Sequence, residues 1–179
     1  MNYGKISACD TANGPGLRVT LFISGCRHHC RDCFNSETWN FDYEKRCMDE
    51  TTDKIIEMLR DSYINGLTIM GGDPFEPENQ IEVFNLISKV RHIYGKSKSI
   101  WVYSGYTFEE LMGEKVSKTP CRTAFTKGIL ERIDVLVDGE FVREQKDITL
   151  PFRDSRNQRV LDVSKSLETQ KPVWNEKYV

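Results

Sequence analysis

Residues 17–35 read LRVTLFISGCRHHCRDCFN. Leu17 to Ile23 is apolar and β-branched, the pattern of a buried strand. Ser24 to Asn35 is a polar loop, and it carries Cys26, Cys30 and Cys33 in the spacing C-x3-C-x2-C.

The same alternation runs on downstream. Leu67 to Met70 reads as a second strand ending in Gly71-Gly72-Asp73-Pro74, Ser99 to Tyr103 as a third, and Ile133 to Val137 as a fourth ending at Asp138-Gly139. Val160 to Val163 suits a last edge strand. Amphipathic helices fill the gaps. One is capped by Thr51 or Thr52 and runs to about Tyr63, with Ile55, Ile56, Leu59 and Tyr63 on one face. A second places Ile81, Phe84, Ile87 and Val90 inward. Thr107 and Glu110 form a capping-box pair that opens a third. Residues 116–131 are ambiguous, in part helical. Apolar strands joined by crossover helices imply a parallel sheet. In such sheets the loops after the strands carry the chemistry. The cysteine loop, the Gly-Gly-Asp-Pro turn, Ser104-Gly105 and Asp138-Gly139 would then gather at one end. Residues 1–16 are poor in apolar side chains and contain the turn Asn13-Gly14-Pro15-Gly16.

Composition narrows the function classes. The chain has 179 residues, a length for one domain with one core. Its net charge of -2 gives no nucleic-acid footprint. No apolar run approaches the ~18 residues of a membrane span, and the N-terminus lacks a signal pattern. A cytoplasmic protein without direct nucleic-acid or membrane contact is the expectation. Of six cysteines, three fall within eight residues. That clustering suits metal or redox chemistry in a reducing compartment rather than a disulfide framework.

Three thiolates on one loop can converge on one face of an iron–sulfur cubane, which takes one ligand per iron. Three cysteines leave one iron open to a substrate, as an open position marks a catalytic zinc site. The other metal reading is a closed zinc site that adds His28 or His29, in a binding module without catalysis.

Several stretches in fixed order carry a resemblance. They are Gly14-Pro15-Gly16-Leu17-Arg18, Ser24-Gly25-Cys26, Cys33-Phe34-Asn35, Gly71-Gly72-Asp73-Pro74, residues 101–111 (WVYSGYTFEEL), residues 134–141 (DVLVDGEF) and residues 151–160 (PFRDSRNQRV). Together they resemble the radical S-adenosylmethionine (SAM) superfamily, and within it the anaerobic ribonucleoside-triphosphate reductase-activating proteins, over roughly residues 9–163. The resemblance implies a [4Fe-4S] cluster on Cys26, Cys30 and Cys33, with SAM on the open iron. It implies reductive cleavage of SAM to a 5′-deoxyadenosyl radical, which takes a hydrogen from a glycine of the partner reductase. Reduced flavodoxin or ferredoxin is the implied electron donor. Activation of another glycyl radical enzyme, or small-molecule radical SAM chemistry, shares the cysteine motif and stays open.

By the same resemblance Asp32, Cys33 and Phe34 border the adenine of SAM. This chain has Asp32 where many superfamily members carry an aromatic residue, which leaves two readings of Phe34: the substitute platform for the adenine, or a core residue. Gly71 and Gly72 allow close backbone approach, and Asp73 can accept from the SAM ammonium. Ser104 and Asp138 are candidates for ribose or methionine contacts. His28 and His29 read as exposed loop histidines, Arg153, Arg156 and Arg159 as a basic loop, and Cys9, Cys47 and Cys121 as small buried hydrophobes. The expected fold is α/β, a partial, open (β/α) TIM-like barrel of about five or six mostly parallel strands. Residues 1–163 form the expected domain and residues 164–179 a loose tail.

Overall fold

The computed structural model describes residues 1–178. Its strands are β1 (Asn2–Asp10), β2 (Leu17–Ile23), β3 (Lys45–Arg46), β4 (Ile64–Gly71), β5 (Ser99–Ser104), β6 (Val135–Asp138) and β7 (Arg159–Asp162). The helices are α1 (Asp49–Met58), α2 (Pro77–Tyr94), α3 (Phe108–Met112), α4 (Thr126–Leu130) and α5 (Val163–Thr169). All seven strands form one sheet in the order β3-β1-β2-β4-β5-β6-β7. The central pairs β2–β4, β4–β5 and β5–β6 are parallel, and the outer pairs are antiparallel.

Alternation along the strands sorts the side chains onto two faces. Val19, Leu21 and Ile23 of β2, Leu67 and Ile69 of β4, and Ile100 and Val102 of β5 pack with Ile55 of α1 and Val83, Leu86, Ile87 and Val90 of α2. Each aliphatic side chain buried there is worth about 1.5–3 kcal/mol. The intervening residues Trp101, Val135, Val137 and Val160 form a second cluster, against which Tyr103, Phe152 and Tyr178 pack.

Arg18 lies among these residues with no accessible surface. Its guanidinium bonds Thr68 Oγ1, Ser99 Oγ and the Leu67 and Ser99 carbonyls at 2.7–3.0 Å. It also sits over the Trp101 ring. Burial pulls its pKa down to about 10.

The structure departs from the sequence-based expectation at several places. The sheet has seven strands rather than five or six; it is open, in agreement with the expectation, while a TIM-like barrel is not seen among the described residues. Residues 2–10 form a strand because β2 offers an unpaired edge; their mixed burial gave little periodic signal. Helix α1 ends at Met58, so Tyr63 stands outside it, exposed, with its hydroxyl on Asp61. Ile81 is 45% exposed, since the inward stripe of α2 runs through Val83 instead.

Residues 164–178 are not a loose tail. They hold most of α5, a bridge from Trp174 to Leu161 that extends the β7 edge, and Tyr178, whose ring packs on Trp101 and Phe152. The expected third helix is present, with Glu110 accepting from the Thr107 N–H at 2.8 Å.

Candidate functional site

The cysteine loop leaves the end of β2 and bends over the ends of the neighbouring strands. Cys26, Cys30 and Cys33 all line one cavity of about 100 Å3. Phe34 and Asn35, residues 70–73 at the end of β4, residues 103–105 at the end of β5, and Gly139, Phe141, Asp154 and Gln158 complete it. The loop is wound tightly. His29 and Asp32 adopt left-handed backbone angles (φ 48° and 59°), and the Cys33 N–H bonds the Cys30 carbonyl at 3.1 Å.

The three thiols are free. Burial, with the Asp73 charge adding to it, pushes the Cys26 thiol well up, and burial pushes Cys30 to about 11. The thiolate is the metal ligand, so a bound cation must supply what the protein does not. Three soft sulfur donors on one cavity fit an iron–sulfur cluster with one iron left free of protein.

A closed zinc site fits less well. His28 has its Nδ1 2.9 Å from Glu140 and its Nε2 3.2 Å from Asp73 Oδ2, the latter near enough for an ion pair but off the hydrogen-bond direction. Its ring lies edge-on to Tyr106. His29 stacks on Trp39 at 4.6 Å. Among the described residues no three His, Cys, Asp or Glu side chains are grouped to hold a single ion. The expectation that His28 is an exposed loop residue is therefore corrected: its side chain is buried. Burial alone would lower its pKa, but Asp73 and Glu140 outweigh that and raise it to about 9.

The Gly71-Gly72-Asp73-Pro74 turn is clamped to the cysteine loop. Gly72 donates to the Ile23 carbonyl at 2.7 Å, and Asp73 to the Gly25 carbonyl at 2.8 Å. A Cβ on Gly72 would lie 2.5 Å from the Gly25 oxygen, so glycine is required for this approach of backbone to backbone. The Asp73 carboxylate is buried and accepts from the Phe75 N–H, the Ser104 hydroxyl and the Gly105 N–H at 2.8–3.0 Å. Its lone pairs are thus largely taken by the protein.

Of the residues singled out from sequence, Cys26, Cys30, Cys33, Phe34, Gly71, Gly72, Asp73 and Ser104 meet at the cavity. Phe34 is 60% exposed at its mouth, with Lys146 over its ring. Asp32 and Asp138 are not in the lining. Asp32 pairs with Arg143 at 2.6 Å. Asp138 is fully buried, accepting from the Phe108 N–H and from Arg159, which also holds Glu109.

The expected basic loop is dispersed among partners. Arg156 pairs with Asp147, and Arg153 lies over Trp174. Of the scattered cysteines only Cys121 is buried; Cys9 is exposed. Sequence reasoning passed over Glu76 and Glu140. Glu76 is fully buried beside Arg27, and its only sequence signal is its place two residues after the Gly71-Gly72-Asp73-Pro74 turn.

Comparison with known proteins gives a consistent result. A family model described as a 4Fe-4S single cluster domain matches residues 12–161. The anaerobic ribonucleoside-triphosphate reductase-activating protein of Vibrio cholerae is 41% identical over 160 residues, 88% of this chain and 96% of that protein. The protein of the same name from Enterobacteria phage T4 is 38% identical over 89% of this chain and 93% of its own length. That of Escherichia coli K12 is 37% identical over 89% and 97%.

Proposed function

Because this chain belongs to the 4Fe-4S single cluster domain family and to the anaerobic ribonucleoside-triphosphate reductase-activating proteins within it, we propose that it makes the glycyl radical of that reductase. The observation that carries the reading is the cavity shared by three free thiols and the glycine turn. When bound, a [4Fe-4S] cluster and SAM supply reductive carbon–sulfur cleavage and the 5′-deoxyadenosyl radical that takes hydrogen from a glycine of the partner.

The chain's own residues bind, orient and shield. Cys26, Cys30 and Cys33 would each hold one iron of the cluster. Gly71 and Gly72 bring the β4 turn against the cysteine loop and so hold the two loops that would receive the cluster and SAM in one place. Asp73, its acceptor sites filled, keeps Ser104 and Gly105 in place and would meet the SAM ammonium as a nearby negative charge rather than as a direct acceptor. Phe34 at the mouth is the apolar platform for the adenine, and Asp32 orders the backbone beside it through Arg143. Asp138 contributes from outside the lining by fixing Arg159 and the start of α3.

We read the open sheet as part of a (β/α) barrel. Its parallel strands deliver all of these loops past one end, as barrel strands do. A reduced flavodoxin or ferredoxin is the one-electron donor this chemistry calls for, and the cytoplasm is a compartment that keeps six thiols reduced.

The test is anaerobic turnover with the reductase. Reconstituted, reduced protein with SAM should yield 5′-deoxyadenosine and a glycyl radical signal on the partner, and alanine at Cys26, Cys30 or Cys33 should abolish both. Full turnover by any of the three variants would refute the cluster assignment.

A further inference from the structure

The polar groups that line the cavity are mostly spoken for. Asp73 is filled, Ser104 donates to it, and His28 faces Glu140 and Asp73. Gln158 accepts from the Asp154 and Ser155 N–H groups and donates to the Gly139 carbonyl. Besides Asn35, two residues past Cys33, two side chains stand apart: the Tyr103 hydroxyl and the Asp154 carboxylate form no hydrogen bond or ion pair with any described residue, yet both line the cavity.

They share its β5-to-β7 side. Tyr103 is on β5, and Asp154 lies in the loop that enters β7, whereas the cysteine loop follows β2. Asp154 remains open to water. Even so, burial pushes its carboxyl above the ordinary value against the pull of Lys146. Burial also pushes the Tyr103 hydroxyl up, and the Asp154 charge adds to that. A carboxylate with free lone pairs and a free hydroxyl on one cavity form an acceptor set for O–H groups that enter it. An acidic side chain takes the ribose of dinucleotides in the same way.

We propose that Asp154, with Tyr103, binds the ribose hydroxyls of SAM and so fixes the position of the adenosyl group. The inference rests on the proposed function, which puts the methionine end of SAM at the cysteine and glycine-turn side. The ribose then falls toward β5 and β7, and the two free groups meet it there.

The test is binding, not turnover. Anaerobic titration calorimetry of the cluster-loaded protein compares SAM, an analogue lacking both ribose hydroxyls, and methionine alone. Variants are Asp154→Ala, Asp154→Asn and Tyr103→Phe, each checked for iron content and melting temperature. Asp154→Ala should weaken SAM about ten- to a hundredfold. Asp154→Asn should weaken it less and Tyr103→Phe severalfold, and methionine should be unaffected. The hydroxyl-free analogue should bind Asp154→Ala and wild type alike, since the coupled partner is already gone. Unchanged SAM affinity in both Asp154 variants overturns the proposal, as does an equal loss for methionine. Failure of the wild type to bind SAM at all would instead refute the proposed function.

Discussion

The Arg27 N–H donates to Glu76 Oε1 at 2.7 Å, and the Arg27 guanidinium reaches the other oxygen of the same carboxylate at 2.5 Å. Glu76 is fully buried at the start of α2, and Arg27 directly follows the first cysteine. One carboxylate therefore ties the cysteine loop to the helix behind the glycine turn, with Tyr106 as a further, longer contact.

Glu76→Ala removes both bonds and leaves the Arg27 N–H without its partner. It should cost roughly 1–3 kcal/mol and lower the iron retained after reconstitution. Glu76→Gln, which still accepts one bond, should recover part of each. Thermal melts with iron analysis on both variants check this. Equal iron loading in Glu76→Ala and wild type would show that the tie does not organise the loop.

Gly72→Ala should be severe. Its Cβ would meet the Gly25 oxygen at 2.5 Å, a backbone atom that cannot rotate away. The turn or the cysteine loop must move, so both iron content and SAM affinity should fall. Normal values for the two would mean that the clamp has slack.

Arg18 bonds groups on β4 and β5 from its place on β2, away from the cysteine loop. Arg18→Met leaves two hydroxyls and two carbonyls short of a donor and should cost about 3 kcal/mol or more. Urea unfolding measures it. Cluster loading at low temperature should persist, because none of these bonds touches the cavity.

Acid should weaken the structure through Asp134. Burial works to raise its carboxyl, but Lys96, Arg91 and the Ile100 N–H outweigh that and hold it below the ordinary value. A depressed pKa stabilises fully above the unfolded value of 3.8 and loses that contribution as pH falls through the folded one. Asp134→Asn should therefore be less stable than wild type at pH 7, and the gap should narrow by pH 3. A constant gap in urea unfolding at both pH values would contradict this.

The chemistry of this chain was more legible in sequence than its edges. Strands β2, β4, β5 and β6 showed themselves because burial on both faces leaves continuous apolar runs. The cysteine spacing and the glycine turn showed themselves because few backbones place such residues together. Strand β1 did not, since a half-exposed antiparallel strand imposes no apolar period. The C-terminal segment looked polar because its work is done by single residues, Trp174 and Tyr178, on a face closed by tertiary contact. Buried His28 and Glu76 were invisible for a like reason: each is made structural by partners far along the chain. Asp73 was singled out as an acceptor for the SAM ammonium; the structure shows its carboxylate at the cavity with its lone pairs already engaged.

The central claim is that the three-cysteine cavity holds a cluster with one iron open to SAM. The most direct measurement is electron paramagnetic resonance of the anaerobically reconstituted, reduced protein with and without SAM. The account predicts a reduced [4Fe-4S] signal whose shape changes when SAM is added. Iron-free protein carrying zinc, or a cluster signal indifferent to SAM, would contradict it.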